Sequence, residues 1–181
     1  YALVLSGLAM QMTGNSRPAS GAEHHLVHLW DMEVVNGHLD ALHGEKVSAG
    51  TMLVLLEYKK IADAIRKGNC KVHTCTEEDR ELLQSTFGKK GILGAIEKEN
   101  TPELLDDVST KELSDTLPGI LKIIDALPAV TDMQEMMNTA GCVSRVRDIG
   151  LPGEVIEESL RLAPYTRRRL SLLRLRKMLT Y

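Results

Sequence analysis

Along most of this chain the apolar positions recur every three to four residues, and no stretch alternates apolar and polar residues over the length of a strand. That pattern predicts an all-α fold, a helical bundle. Residues 1–13 are apolar nearly all round, which predicts a buried helix closed by the turn chemistry of Thr13-Gly14-Asn15. After a short loop at 16–19, Ser20-x-x-Glu23 has capping-box form and predicts a helix to about Val35. Asn36-Gly37 breaks the pattern. A long helix is then predicted over about 45–67, with Val47, Met52, Leu55, Leu56 and Ile61 as its apolar set and Gly68-Asn69 as its close.

Residues 70–76 read as a loop, and Thr76-Glu77-Glu78-Asp79 as the start of a short helix holding Leu82, Leu83 and Phe87. Residues 88–94 form a glycine-rich interruption, and Thr101-Pro102-Glu103 and Thr110-Lys111-Glu112 have the form of further helix starts. Beyond Pro118 the pattern predicts helices over about 119–127, 128–140 and 152–162. A last helix, 165–179, is predicted to turn Leu170, Leu172 and Leu173 inward. Met133, Met136 and Met137 read as core filler. With no internal repeat or low-complexity linker, residues 1–181 read as one all-helical domain. Its abrupt apolar start without a methionine suggests the C-terminal part of a longer protein.

Composition narrows the function classes. A net charge of -3 over 181 residues argues against general attraction to nucleic acid. The three cysteines are odd in number and irregularly spaced, which fits a reducing, cytoplasmic setting rather than a disulfide framework. No apolar run reaches the roughly 20 residues that span a bilayer. The basic segment 161–177, with Arg167, Arg168 and Arg169 consecutive, has little aromatic interleaving. It reads as a solvated face covering neighbouring helices or a subunit contact. Cys70-x-x-His73-x-Cys75 fits no usual zinc spacing and reads as loop.

The concentrated chemistry lies elsewhere. Of 6 histidines, His24, His25, His28, His38 and His43 fall within one short stretch. A single histidine is most often a partly buried helix residue, but five so close together point to metal ligation. Neutral imidazoles suit zinc, nickel or ferrous iron. Helical spacing places His24 and His28 one turn apart on one face, and the pairs His24–His28 and His24–His43 are both open as ligands. Arg17 precedes the helix expected from Ser20, whose first N–H groups would face an anion. A phosphate there gains a charge-assisted contact, unless Arg17 and Pro18 only shape the loop.

Ser6-Gly7-Leu8-Ala9-Met10, Gly14-x-Ser16-Arg17-Pro18-Ala19-Ser20-Gly21-x-Glu23-His24-x-x-x-His28 and Leu42-His43-Gly44-Glu45-Lys46-Val47 resemble sn-glycerol-1-phosphate dehydrogenase, its bacterial form above all. The end, from Leu162-Ala163-Pro164-Tyr165 through Arg174, is similar to the family's C-terminal helix. The resemblance implies the helical, metal- and substrate-binding domain of an NAD(P)-dependent enzyme that interconverts dihydroxyacetone phosphate and glycerol 1-phosphate. A nucleotide-binding α/β domain would precede it. It further implies His24 and His43 as metal ligands, with an Asp upstream of Tyr1 as the third. His28 would lie near the substrate, Arg17 with Ser16 and Ser20 at its phosphate, and a homodimer would be the assembly. One departure is Gly21, which stands where the dehydroquinate synthase group has Asn. Two other readings stay open: another member of that superfamily, a glycerol or alcohol dehydrogenase or a lyase, and a non-catalytic helical interaction module.

Overall fold

A computed structural model describes residues 1–75 and 79–181. The helix start expected at Thr76, Glu77 and Glu78 lies outside the described residues. The fold is all-α: α1 (Ala2–Thr13), α2 (Ala22–Asp31), α3 (His43–Arg66), α4 (Arg80–Thr86), α5 (Leu93–Glu99), α6 (Thr110–Asp125), α7 (Val130–Thr139), α8 (Ile156–Leu162) and α9 (Leu172–Leu175). Two two-residue strands, β1 (Lys71–Val72) and β2 (Leu179–Thr180), pair antiparallel, with Lys71 opposite Thr180 and Val72 opposite Leu179. So short a ladder carries no readable alternation, and β1 falls inside the stretch expected to be loop.

The amphipathic pattern builds two adjoining cores. Leu26, Val27, Leu29 and Trp30 of α2 pack with Ala49, Leu53 and Val54 of α3 and with Leu160, Leu162 and Ala163 near α8. Trp30 Nε1 donates to Ser159 Oγ at 3.0 Å, so the one indole is buried without an orphaned N–H. Further along α3, Ile61 joins Leu113 and Leu117 of α6 and Met178 and Leu179 at the C-terminal end. Gly50 permits the close approach of α3 to α2, because a Cβ there would stand 3.3 Å from the Glu23 carbonyl oxygen.

Several expectations are corrected. Helix α1 forms as its pattern requires, but it is not buried: Leu3 is 86% and Met12 88% exposed, with Val4, Leu5 and Leu8 also on the surface. Its principal neighbour is only the 3₁₀ turn Arg17–Ala19. An all-round apolar pattern says that a helix wants cover but not what supplies it. Helix α2 ends at Asp31 rather than near Val35. The start expected at Thr110 and the helix expected after Pro118 are one element, α6, with Pro118 inside it and Ser109 Oγ accepting from the Glu112 N–H at its N-cap. The single C-terminal helix breaks into a 3₁₀ turn (Ala163–Thr166), an extended run, the four-residue α9, another 3₁₀ turn (Arg176–Met178) and β2. Ser171 caps α9 by accepting from the Arg174 N–H, which restarts the helix there. Leu170 consequently faces solvent, whereas Leu173 is buried. Met136 is exposed and no residue of α7 is buried, so the methionines do not fill the core.

Candidate functional site

Two helix beginnings meet at the site. His24 lies in the first turn of α2 and His43 is the first residue of α3. The start of α3 is fixed by Glu45, whose Oε2 accepts from the Leu42 N–H at 2.7 Å. The close α2–α3 approach at Gly50 then sets the two imidazoles against each other. Their ring centroids are 5.8 Å apart and tilted by 58°. His28, one turn beyond His24, has its ring 6.4 Å from that of His24. His28 and His43 thus both lie beside His24.

The expected cap is shifted. Helix α2 starts at Ala22 with Gly21 as its N-cap, and Ser20 makes no side-chain cap. Glu23 reaches back to the Gly21 N–H instead, at 2.7 Å, and the same Oε1 contacts His24 Nδ1 at 2.8 Å. Burial raises the Glu23 carboxyl, but the bonds to His24 and to the Gly21 N–H outweigh it and hold the group below its ordinary range. A carboxylate on Nδ1 orients the ring and leaves Nε2 without that contact, an arrangement common among metal-binding histidines. Gly21 has a local reason as well: a Cβ there would stand 2.7 Å from Glu23 Oε2. A side chain at 21 would push aside the carboxylate that holds His24. On the other side, His43 Nδ1 lies 3.8 Å from Asp31 Oδ2, while Asp31 Oδ1 accepts from Lys46 Nζ at 2.8 Å.

These donors fit a divalent ion as part of its ligand set. Two imidazoles on one tetrahedral ion place their ring centroids roughly 5 Å apart, close to the separation seen. Among the described residues, no group of three or more His, Cys, Asp or Glu side chains is placed to hold a metal ion. A complete site at His24 and His43 needs a further ligand.

His28 links this cluster to a second feature, a pocket of about 400 Å³ lined by Asn15, Ser16, Arg17, Ser20, His28, Glu99 and Arg167–169. The residues expected at a phosphate thus share one cavity with His28. Burial, then the Arg167 guanidinium and the neighbouring imidazole of His24, lower the His28 imidazole below its ordinary value. It is therefore neutral at pH 7, able to accept or share a proton. The break after Thr166 lays the arginine run over the loop at 16–20, with Arg167 exposed and Arg168 and Arg169 half-buried. Arg169 Nη1 donates to the Ser20 carbonyl at 2.7 Å and Nη2 to Ser16 Oγ at 3.2 Å. Glu23 is a histidine partner that capping form alone does not reveal, although an acid beside a candidate ligand is the available signal.

His38 is exposed and pairs with Glu33 at 2.9 Å, away from the cluster. His25 is buried with neither ring nitrogen hydrogen-bonded. Burial, followed by Arg169 and Arg174, lowers its pKa to about 4. The sign follows: the unfolded chain takes up the proton near pH 6.5 and the folded chain only near 4, so stability falls as pH drops through that window. The depression corresponds to roughly 3 kcal/mol at most. Denaturant melts from pH 7.5 to 4 should show a shallower loss in His25→Leu than in the wild type, and parallel curves would refute this role.

The fold and the cluster together define a class, an all-α unit with a histidine group beside an arginine-lined pocket. The particular relatives are glycerol-1-phosphate dehydrogenases [NAD(P)+]. That of Halalkalibacterium halodurans is 34% identical over 173 residues, covering 95% of this chain and 35% of the relative. That of Geobacillus stearothermophilus is 27% identical over 163 residues, covering 90% of this chain and 33% of the relative. The archaeal protein of Methanococcoides burtonii is 45% identical over 69 residues, covering 36% of this chain and 18% of the relative. The chain is thus homologous over nearly all its length to glycerol-1-phosphate dehydrogenases, and spans about a third of the length of those first two relatives. No family model matches it, and no solved structure gives a significant match. Among the described residues no helix is long and apolar enough to cross a membrane.

Proposed function

We propose that this chain is the C-terminal metal- and substrate-binding domain of an NAD(P)-dependent glycerol-1-phosphate dehydrogenase. Such an enzyme interconverts dihydroxyacetone phosphate and glycerol 1-phosphate. The observation that carries the reading is the double position of His28, beside His24 and in the pocket with Arg17, Ser16 and Ser20. The nucleotide-binding part and a third ligand belong to the portion of the relatives outside this chain. A cytoplasmic homodimer completes the reading. The odd number and irregular spacing of the cysteines support the compartment, and the dimer rests on the resemblance alone.

His24 and His43 hold a zinc, nickel or ferrous ion through neutral imidazoles, with Glu23 orienting His24. When bound, the ion supplies Lewis acidity toward the substrate's C2 oxygen. Arg17, with Ser16 and Ser20, holds the phosphate and so fixes which carbon faces the nicotinamide. His28, kept neutral, accepts the hydroxyl proton at C2 when glycerol 1-phosphate is oxidised, and returns it in the reduction. The hydride belongs to the cofactor, while these side chains supply position and charge.

The test is nicotinamide oxidation by the full-length natural chain with dihydroxyacetone phosphate. Metal-dependent turnover is expected. A metal-loaded enzyme that leaves this substrate untouched while reducing an unphosphorylated ketone would overturn the reading. Glu23→Gln, which keeps the side-chain shape but loses the charge, is expected to weaken metal affinity about 10- to 100-fold. Metal content after dialysis against a graded chelator measures it, and unchanged retention would remove Glu23 from this role.

A further inference from the structure

We infer that Arg167 is a second phosphate-binding residue, closing on the anion opposite Arg17, and that Arg169 is the positioning residue that holds the wall between them. This rests on the phosphate-end reading above and extends it to a segment far away in sequence. The pocket at His28 is lined by four guanidinium-bearing residues against one carboxylate, Glu99. The four are not equivalent. Arg168 Nε donates to the Pro102 carbonyl at 3.0 Å. Arg169 is spent on Ser20 O and Ser16 Oγ. The side chains of Arg17 and Arg167 have no hydrogen-bond or ion-pair partner among the described residues. Arg168 is thus turned to the Pro102 carbonyl and Arg169 holds the 16–20 loop, while the Arg17 and Arg167 side chains are left to receive a ligand.

The backbone of Arg167 is held in place. Its carbonyl accepts from Arg174 Nη2 at 3.2 Å and from the Arg169 N–H at 2.9 Å. Its guanidinium-bearing side chain lines the same pocket as His28. A dianionic phosphate in this pocket meets the Arg17 and Arg167 guanidinium groups in one lining that also holds Ser16 and Ser20. Planar guanidinium forks suit such an anion better than ammonium groups do. The inferred ligand is a phosphate monoester, and Arg167 discriminates it from the unphosphorylated alcohol or ketone.

The experiment measures inorganic phosphate binding to the full-length protein by calorimetry, for the wild type and for Arg17→Gln, Arg167→Gln, Arg167→Lys and Arg168→Gln. Loss of one charge-assisted contact is expected to weaken phosphate about 10- to 100-fold in Arg167→Gln. Arg167→Lys should recover part of this loss, and Arg168→Gln should bind as the wild type does. KM for dihydroxyacetone phosphate should rise in step with the phosphate dissociation constant. If Arg17→Gln loses phosphate and Arg167→Gln does not, the Arg167 assignment fails and the phosphate-end reading survives. If neither variant loses phosphate, or the wild type binds none, both fail. For Arg169, Arg169→Lys should restore phosphate binding lost in Arg169→Gln where thermal midpoints match. Loss without any rescue would overturn its positioning role.

Discussion

Replacing His43 by alanine in the full-length protein is expected to strip the bound ion and lower turnover roughly a thousandfold, the several kcal/mol that Lewis-acid stabilisation supplies. His24→Ala should do the same, and the double variant should be little worse than either single one, because both remove one ion. His43 is the informative member. Its side chain is exposed, with Asp31 at 3.8 Å and the His24 ring beside it, so its removal should leave the unfolding midpoint nearly unmoved. Elemental analysis of purified variants reports the ion and a nicotinamide assay the rate. A His43→Ala protein that keeps both its metal and its activity would end the ligand assignment.

The largest stability effect is expected at Arg174. This side chain is completely buried, yet it carries a charge. Its Nη1 donates to Glu103 Oε1 at 2.7 Å, and Nη2 donates to Asn100 Oδ1 and to the Pro164 and Arg167 carbonyls. Asn100 in turn donates to the Tyr165 carbonyl at 2.7 Å. One guanidinium therefore ties the end of α5, the turn after α8 and the start of the arginine run to α9. Arg174→Met keeps most of the volume, leaves Asn100 Oδ1 and the Pro164 carbonyl without this donor, and takes one of two donors from Glu103 Oε1 and from the Arg167 carbonyl. Breaking a buried pair from one side costs about 3–5 kcal/mol, a large fraction of a domain's stability. Urea unfolding of the wild type and Arg174→Met measures it, and coincident curves would show the network to be dispensable. The same variant removes one of two donors to the Arg167 carbonyl, so it should also weaken phosphate in whatever fraction stays folded.

What makes Arg174 central was invisible along the chain. It sits among five other arginines between 161 and 176, and nothing local separates a buried one from a solvated one. The same holds for Arg167 to Arg169. A basic run beside apolar residues reads as a surface helix until the chain is seen to leave the helix after Thr166 and cross the loop at 16–20. Burial and hydrogen-bond partners are long-range facts: Arg169 and Ser16 are separated by most of the chain.

The sequence by itself determined the all-α class, the long helix α3 within two residues at each end, the closeness of His24 to His28, and the kinship with glycerol-1-phosphate dehydrogenases. Each of these is a local matter of residue spacing and motif, because helical periodicity places neighbours three and four residues apart on one face. Only the tertiary structure decided that His43 meets His24, since that depends on the α2–α3 approach at Gly50. It alone showed Glu23 on His24 Nδ1, because the helix begins at Ala22 and not at Ser20. It also left α1 apolar and uncovered, and brought the C-terminal arginines to the pocket at His28. Those outcomes turn on which surfaces meet, and hydrophobic pattern and local capping signals fix that only in part.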